Sequence, residues 1–70
     1  MMTFSEALQE VKLGRKIQRE KWNSKVFLKK GTMDECLNEK YIFIYKPKCL
    51  PTFWNPSQVD IISNDWIAFD

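Results

Sequence analysis

Three cations surround Trp22 in the sequence, and together they form a pattern of residue types that could bind a nucleotide. They are Arg19, Lys21 and Lys25. An indole ring offers a flat surface on which a base can stack, and a neighbouring cation can pair with phosphate oxygens. Solvated charges on an exposed hairpin are the more common explanation of such a pattern, because surface lysines are ordinary. The sequence leaves both explanations open.

A second tryptophan, Trp54, precedes polar residues that could also contact a nucleotide. Asn55 is predicted to cap a short helix, whose first amides and Ser57 would favour an anion or a ribose hydroxyl. Asp60 and Asp65 could accept hydrogen bonds from ribose hydroxyls or from an adenine amino group. The alternative is that these polar side chains only form caps and turns.

Catalytic chemistry has little support in this chain. The sequence contains no histidine, which removes the commonest general base and the Ser/His and Cys/His nucleophile arrangements. Cys36 and Cys49 do not form a CxxC pair, so we expect structural thiols, no metal site and no cofactor. Neither Gly14 nor Gly31 belongs to a phosphate-binding glycine loop. We therefore expect a binding protein and not an enzyme.

Length and charge narrow the class of protein further. Seventy residues form a single domain over 1–70, and a core this small often needs a partner subunit for stability. The net charge of +2 does not resemble that of a dedicated duplex nucleic-acid binder. Without a membrane-length apolar run or a signal-peptide pattern at the start, the chain is expected to be cytoplasmic and away from membranes.

The first half of the chain predicts a helix followed by a hairpin. A capping box at Thr3 to Glu6 and apolar residues at helical spacing predict a helix over 4–13. Alternation and a central Asn-Ser turn then predict strands over 16–22 and 26–28. The stretch 31–40 has no clear period and is predicted to be a loop, with one helical turn over 34–37.

The second half predicts two further strands, a short helix and a final strand. The run 41–45 is entirely β-prone and apolar, so it needs cover on both faces, and a short strand over 52–54 follows. After Asn55 and Pro56, the helix is expected to turn Val59 and Ile62 toward the core. The last strand covers 66–69, with Trp66 in the core. The order indicates an α+β fold: an N-terminal helix on a mostly antiparallel sheet of about five strands.

Several segments resemble a family of small phage and prophage proteins that includes the Thoeris anti-defence proteins of the second type. The most specific are an Arg-x-x-Trp-Asn pattern and a Trp-x-Pro-Ser-x-x-Asp-(x)₄-Asp-Trp pattern, found here over 19–23 and 54–66. The segments 4–8 and 12–16 also match, while the middle of the chain carries little of the family's pattern. Three features depart from that pattern: Ser24 stands in place of a glycine, Ser63-Asn64 stands in place of Ala-Glu, and the middle is short.

The resemblance implies a homotetramer that binds and sequesters cyclic ADP-ribose-type signals, without cleaving them, in pockets shared between subunits. The signal would be the glycocyclic ADP-ribose made by a TIR-domain enzyme, and some relatives are thought to bind cyclic oligonucleotides. Matching positions give the expected ligand-binding residues: Arg19, Trp22, Asn23, Trp54, Ser57 and Asp60. A single-stranded nucleic-acid binder would use the same aromatic and basic residues and is the main alternative.

Overall fold

The computed structural model describes residues 1–31 and 41–70, which form two helices and five strands. The elements in chain order are α1 (Phe4–Lys12), β1 (Lys16–Arg19), β2 (Phe27–Gly31), β3 (Tyr41–Tyr45), β4 (Thr52–Phe53), α2 (Gln58–Ile62) and β5 (Trp66–Phe69). The strands form one antiparallel sheet in the order β4-β3-β2-β1-β5. The α+β class, the N-terminal helix and the short helix before the last strand are confirmed.

The predicted capping box starts α1. The Thr3 hydroxyl accepts from the Glu6 amide at 3.2 Å, and the Glu6 carboxylate accepts from the Thr3 amide at 3.0 Å. These bonds satisfy amide groups that the first helical turn would leave without a partner. The helix ends at Lys12, one residue before the predicted end, and Gly14 follows in the left-handed region with φ of 92°.

One face of the sheet carries the core, against which α1 packs. Ala7 and Val11 of α1 pack against three residues of the sheet. These are Ile17 of β1, Leu28 of β2 and Trp66 of β5, and all five side chains are buried. Ile17 faces Leu28 across the β1–β2 pair, so alternation along each strand sends these residues to the same side. The prediction that Trp66 belongs to the core is confirmed.

The opposite face of the sheet is covered with aromatic rings. Phe27 stacks on Tyr45 with ring centroids 5.0 Å apart, and Phe43 stacks on Phe53 at 5.2 Å. The Lys16 ammonium lies 5.0 Å from the centre of the Phe27 ring. Neither described helix packs on this face. Helix α1 packs on the core face through Ala7 and Val11, and α2 contacts α1.

The hairpin is confirmed, but its first strand is shorter than predicted. Strand β1 ends at Arg19, because the Trp22 amide turns back to donate to the Arg19 carbonyl at 3.0 Å. Trp22 therefore lies in the connection and not on a strand. Ser24 does not need glycine's freedom, since Lys48 is the one non-glycine residue with positive φ in the described ranges. Gly31, predicted to begin the loop, instead ends β2.

The second helix differs from the prediction in its start and its buried face. Ser57, and not Asn55, is the N-cap, because its hydroxyl accepts from the Asp60 amide at 3.1 Å. The expectation that Val59 and Ile62 face the core is wrong: they are 56% and 76% exposed. The helix has only five residues, and it is joined to the rest of the fold chiefly through Asp60.

The other sequence predictions concern the stretch 32–40, the two cysteines and membrane-spanning helices. The loop and helical turn predicted within 32–40, and Cys36, lie outside the described residues. Cys49 is exposed, which does not fit a thiol packed inside the protein. No helix in the described ranges is long and apolar enough to cross a membrane.

Candidate ligand-binding cleft

A cleft of about 480 Å³ opens where the β1–β2 connection approaches the β3–β4 connection and the segment before α2. Its lining combines aromatic, aliphatic and polar side chains: Trp22, Asn23, Val26, Ile44, Lys46, Thr52, Phe53, Trp54, Asn55 and Asp60. Four of the six residues expected to bind ligand are brought together here, namely Trp22, Asn23, Trp54 and Asp60. Arg19 and Ser57 are not among the lining residues and contact Asp60 instead.

The two tryptophans of the cleft are held against the buried Trp66. The Trp22 and Trp66 centroids lie 5.4 Å apart at an interplanar angle of 76°, and those of Trp54 and Trp66 lie 5.9 Å apart at 81°. Such edge-to-face contacts orient a ring as well as burying it. Trp22 and Trp54 are half-buried, so each combines a packed edge with exposed surface at the cleft.

Asn23 stands at the rim of the cleft because its side chain closes the turn. The Asn23 Oδ1 accepts from the Lys25 amide at 2.9 Å, and the Val26 amide donates to the Asn23 carbonyl at 2.8 Å. The buried Gln18 side chain directs its amide nitrogen toward this turn and donates to the Val26 carbonyl at 2.8 Å. The turn is therefore stabilised by hydrogen bonds within it and by Gln18 of β1.

The Arg19 side chain is hydrogen-bonded to two carboxylates and does not line the cleft. Its Nε donates to Asp65 Oδ1 at 2.9 Å, one terminal nitrogen to Asp65 Oδ2 at 3.3 Å, and the other to Asp60 Oδ1 at 3.1 Å. The Arg19 side chain is only 8% exposed. The hydrogen bonds that Arg19 donates to Asp65 raise the pKa of Arg19 and lower the pKa of Asp65.

Asp60 links three parts of the fold at the floor of the cleft. Besides the bond from Arg19, its Oδ2 accepts from the Ser57 amide at 3.3 Å, and its own amide donates to the Ser57 hydroxyl. Its carbonyl accepts from the Trp66 indole at 3.0 Å. Ser57 and Asp60 therefore satisfy each other, which is the capping role that the sequence left as an alternative.

Lys46 and Thr52 line the cleft although the sequence did not indicate them as site residues. Lys46 follows β3 and lies two positions beyond Ile44, which also lines the cleft, while Ile44 pairs with Thr52. Side chains two apart along a strand share a face, so the alternation from Ile44 could have indicated Lys46. The pairing of β3 with β4 was not readable, because the two prolines between them hide the register.

The described residues include no group of three or more His, Cys, Asp or Glu side chains that could hold a metal ion. The aromatic and polar groups of the cleft are two indoles, the Phe53 ring, two carboxamides, a hydroxyl, an ammonium and the Asp60 carboxylate, which is paired with Arg19. These groups stack, donate hydrogen bonds and pair with an anion. The arrangement is therefore suited to binding a flat, polar, negatively charged molecule.

Comparison with known proteins identifies the family. Residues 2–69 match the family model of the Tad2-like domain, described as the Thoeris anti-defense 2-like domain. The chain belongs to this family. It is also 33% identical to Thoeris anti-defense 2 of Bacillus phage SP01, over an alignment that covers 93% of this chain and 91% of the phage protein. The resemblance seen in the sequence is thus confirmed, and membership supports an anti-defence role.

The alignment with the phage protein also bears on chain length. It runs over 81 positions, more than the 70 residues of this chain, so the phage protein has residues with no counterpart here. The family patterns over 19–23 and 54–66 supply residues of the cleft and of the Arg19 ion pairs. Residues of these two segments therefore meet at the cleft.

The ion pairs of Arg19 predict how stability depends on pH. Because Arg19 lowers the pKa of Asp65 from its ordinary value of 3.8, folding is favoured while Asp65 is ionised. This contribution is fully present above pH 3.8 and is lost as the pH falls through the lower folded-state pKa. Urea unfolding between neutral pH and about pH 2 should show a decline below about pH 4 that is shallower in Asp65→Asn.

Asp70→Asn provides the matched control for this prediction. Asp70 is 88% exposed and pairs with Arg15 at the surface, where ion pairs contribute little, so this variant should keep the wild-type decline. Glu6, whose pKa is lowered by the Thr3 amide, contributes equally to all three proteins. An Asp65→Asn protein that loses stability as steeply as wild type would contradict the prediction.

Proposed function

We propose that this protein binds a cyclic ADP-ribose-type second messenger in the cleft between Trp22 and Trp54 and holds it without cleaving it. The signal best suited to a member of this family is glycocyclic ADP-ribose made by TIR-domain Thoeris enzymes. Sequestration would keep the signal from its downstream effector. We expect this to happen in the cytoplasm of the infected host cell, where such a signal is made.

The observation that carries the proposal is the convergence of two distant tryptophans on one cleft. Trp22 lies in the β1–β2 connection and Trp54 follows β4, and the same buried Trp66 ring orients both. A base stacked on an aromatic side chain gains about 1–3 kcal/mol. Indoles that are already packed on one side pay little conformational entropy when a ligand binds.

The polar lining suits the rest of such a ligand. Asn23, Thr52 and Asn55 supply carboxamide and hydroxyl groups that can contact ribose hydroxyls and a base edge, and Lys46 can pair with phosphate. The cleft volume of about 480 Å³ lies within the roughly 300–1,000 Å³ typical of small-molecule sites. A compact dinucleotide is therefore a reasonable occupant.

Binding without cleavage is supported by the state of the acidic group in the cleft. Both carboxylate oxygens of Asp60 already accept hydrogen bonds, from Arg19 and from the Ser57 amide. The sequence offers no histidine that could share a proton with it. We therefore expect the protein to release its ligand chemically unchanged.

The lining also favours a compact ligand over a nucleic-acid strand. Binders of single strands combine stacking rings with a basic groove that follows many phosphates. Among the described residues that line this cleft, Lys46 is the single cation. Binding of a cyclic dinucleotide should depend on salt far less than binding of a long oligonucleotide would. A cyclic oligonucleotide remains the second ligand class to test.

We also propose that the chain forms a homo-oligomer, with a tetramer expected. The aromatic face of the sheet, which includes Phe27, Tyr45 and Phe53, is where the two described helices do not pack. Phe53 is 47% exposed and also lines the cleft, so this face reaches the edge of the cleft. Clusters of aromatic side chains on a surface are typical of a subunit interface. Strand β3 supplies Tyr45 to this face, and its apolar run 41–45 needs cover on both faces.

The role of Trp22 in binding can be measured with Trp22→Leu. Leucine keeps apolar contact with Trp66 but removes the stacking surface, so affinity for cyclic ADP-ribose should fall by roughly one to two decades in calorimetry. Ligand at about 100 times its dissociation constant should stabilise wild type by about 2.7 kcal/mol per site, and the variant should lose most of this gain.

Two further variants separate binding from folding. Leu50→Ala changes a side chain that is 86% exposed and outside the cleft, so it should bind as wild type does. Trp66→Ala removes a fully buried ring and should cost about 3–5 kcal/mol of stability without ligand. A folded Trp22→Leu protein with wild-type affinity would place the ligand elsewhere.

The oligomer is tested by the mass of the protein in solution. Light scattering at micromolar concentration should give about four times the 8.4 kDa chain mass for wild type. Tyr45→Lys should lower that mass, because it places a second ammonium beside Lys16 and removes the ring that stacks on Phe27. Leu50→Lys is the control and should leave the mass unchanged. A wild-type monomer would refute the proposal.

A further inference from the structure

We propose that Lys46 is the residue that binds the phosphate groups of the ligand, a role for which the sequence pattern offered the three cations around Trp22. This inference rests on the proposed function, because it names the contact that a charged ligand makes in the same cleft.

Arg19 cannot turn toward a phosphate in the cleft without breaking its contacts with two carboxylates. Three of its guanidinium hydrogen bonds go to Asp60 and Asp65, and its side chain is 8% exposed. Turning it toward a ligand would leave two carboxylates, 16% and 28% exposed, without their cation. Separating a buried pair in this way is strongly unfavourable.

The end of strand β3 places Lys46 at the cleft. Ile44 lines the cleft, and the next side chain on the same side of the chain belongs to Lys46. The Lys46 carbonyl accepts from the Cys49 amide at 3.3 Å, so the turn that begins here holds the Lys46 backbone. The side chain itself is exposed, and its long stem can carry the ammonium to a bound anion.

The charges of the lining also single out Lys46. Among the described residues that form the cleft, only Lys46 and Asp60 are charged, and Asp60 is paired with Arg19. The ammonium is therefore the charge that an incoming anion meets. A lysine ammonium binds phosphate as a point charge and does not require the planar geometry of a guanidinium.

The experiment compares Lys46→Gln with Lys48→Gln, which makes the same change of charge two residues away, outside the cleft lining. Binding of cyclic ADP-ribose and of adenosine, which lacks phosphate, can be followed by the fluorescence of the cleft tryptophans. Lys46→Gln should weaken cyclic ADP-ribose binding by about 10- to 100-fold and leave adenosine binding unchanged. Lys48→Gln should bind both ligands as wild type does, and Lys46→Arg should restore most of the affinity.

Each other outcome has a definite meaning. Equal weakening by Lys46→Gln and Lys48→Gln would show a general effect of charge and overturn the assignment. Wild-type affinity of Lys46→Gln for cyclic ADP-ribose would overturn it too, while leaving the proposed function in place. If the unaltered protein binds neither cyclic ADP-ribose nor adenosine, the proposed function fails and the role of Lys46 fails with it. The melting temperatures without ligand confirm that each variant is folded.

Discussion

The buried guanidinium of Arg19 is the group on which the geometry of the cleft depends. A cation this enclosed must keep its carboxylate partners, so Asp60 and Asp65 are both required near the end of β1. Asp60 belongs to α2 and Asp65 precedes β5, and the Glu20 amide adds a backbone bond to the Asp65 carbonyl at 2.8 Å. One side chain thus joins the end of β1 to two neighbouring segments that lie 41 and 46 residues further along the chain.

Trp66 connects the ion pairs of Arg19 to the tryptophans of the cleft. The Asp60 carbonyl holds the Trp66 indole, and Trp66 in turn orients Trp22 and Trp54 by edge-to-face contact. The acidic group, the two stacking surfaces and the core therefore form one connected unit. Because the pieces support one another, the stacking walls are in place before a ligand arrives, and this lowers the entropic cost of binding.

How far the sequence predicts this structure depends on how local each signal is. The capping box of α1, the alternation around the hairpin and the run of β3 are local patterns, and they predicted these elements well. The partners of Arg19 lie 41 and 46 residues away, so the sequence could not show that its charge is already taken. The cleft position of Lys46 likewise depends on the β3–β4 register. Val59 and Ile62 looked like core residues because apolar spacing does not reveal that a five-residue helix packs through Asp60.

The two faces of the sheet carry different groups of side chains. One carries α1, the core and the tryptophans of the cleft, while the other presents a stacked aromatic surface suited to another copy of the chain.

The most direct test of the account is the chemical identity of what the protein retains. The protein would be mixed with cyclic ADP-ribose isomers and cyclic oligonucleotides, washed and denatured, and the released molecules identified by mass spectrometry. We expect an intact cyclic ADP-ribose-type molecule to be recovered, in proportion to the number of clefts. Recovery of a hydrolysed product, or of cyclic oligonucleotides alone, would contradict it.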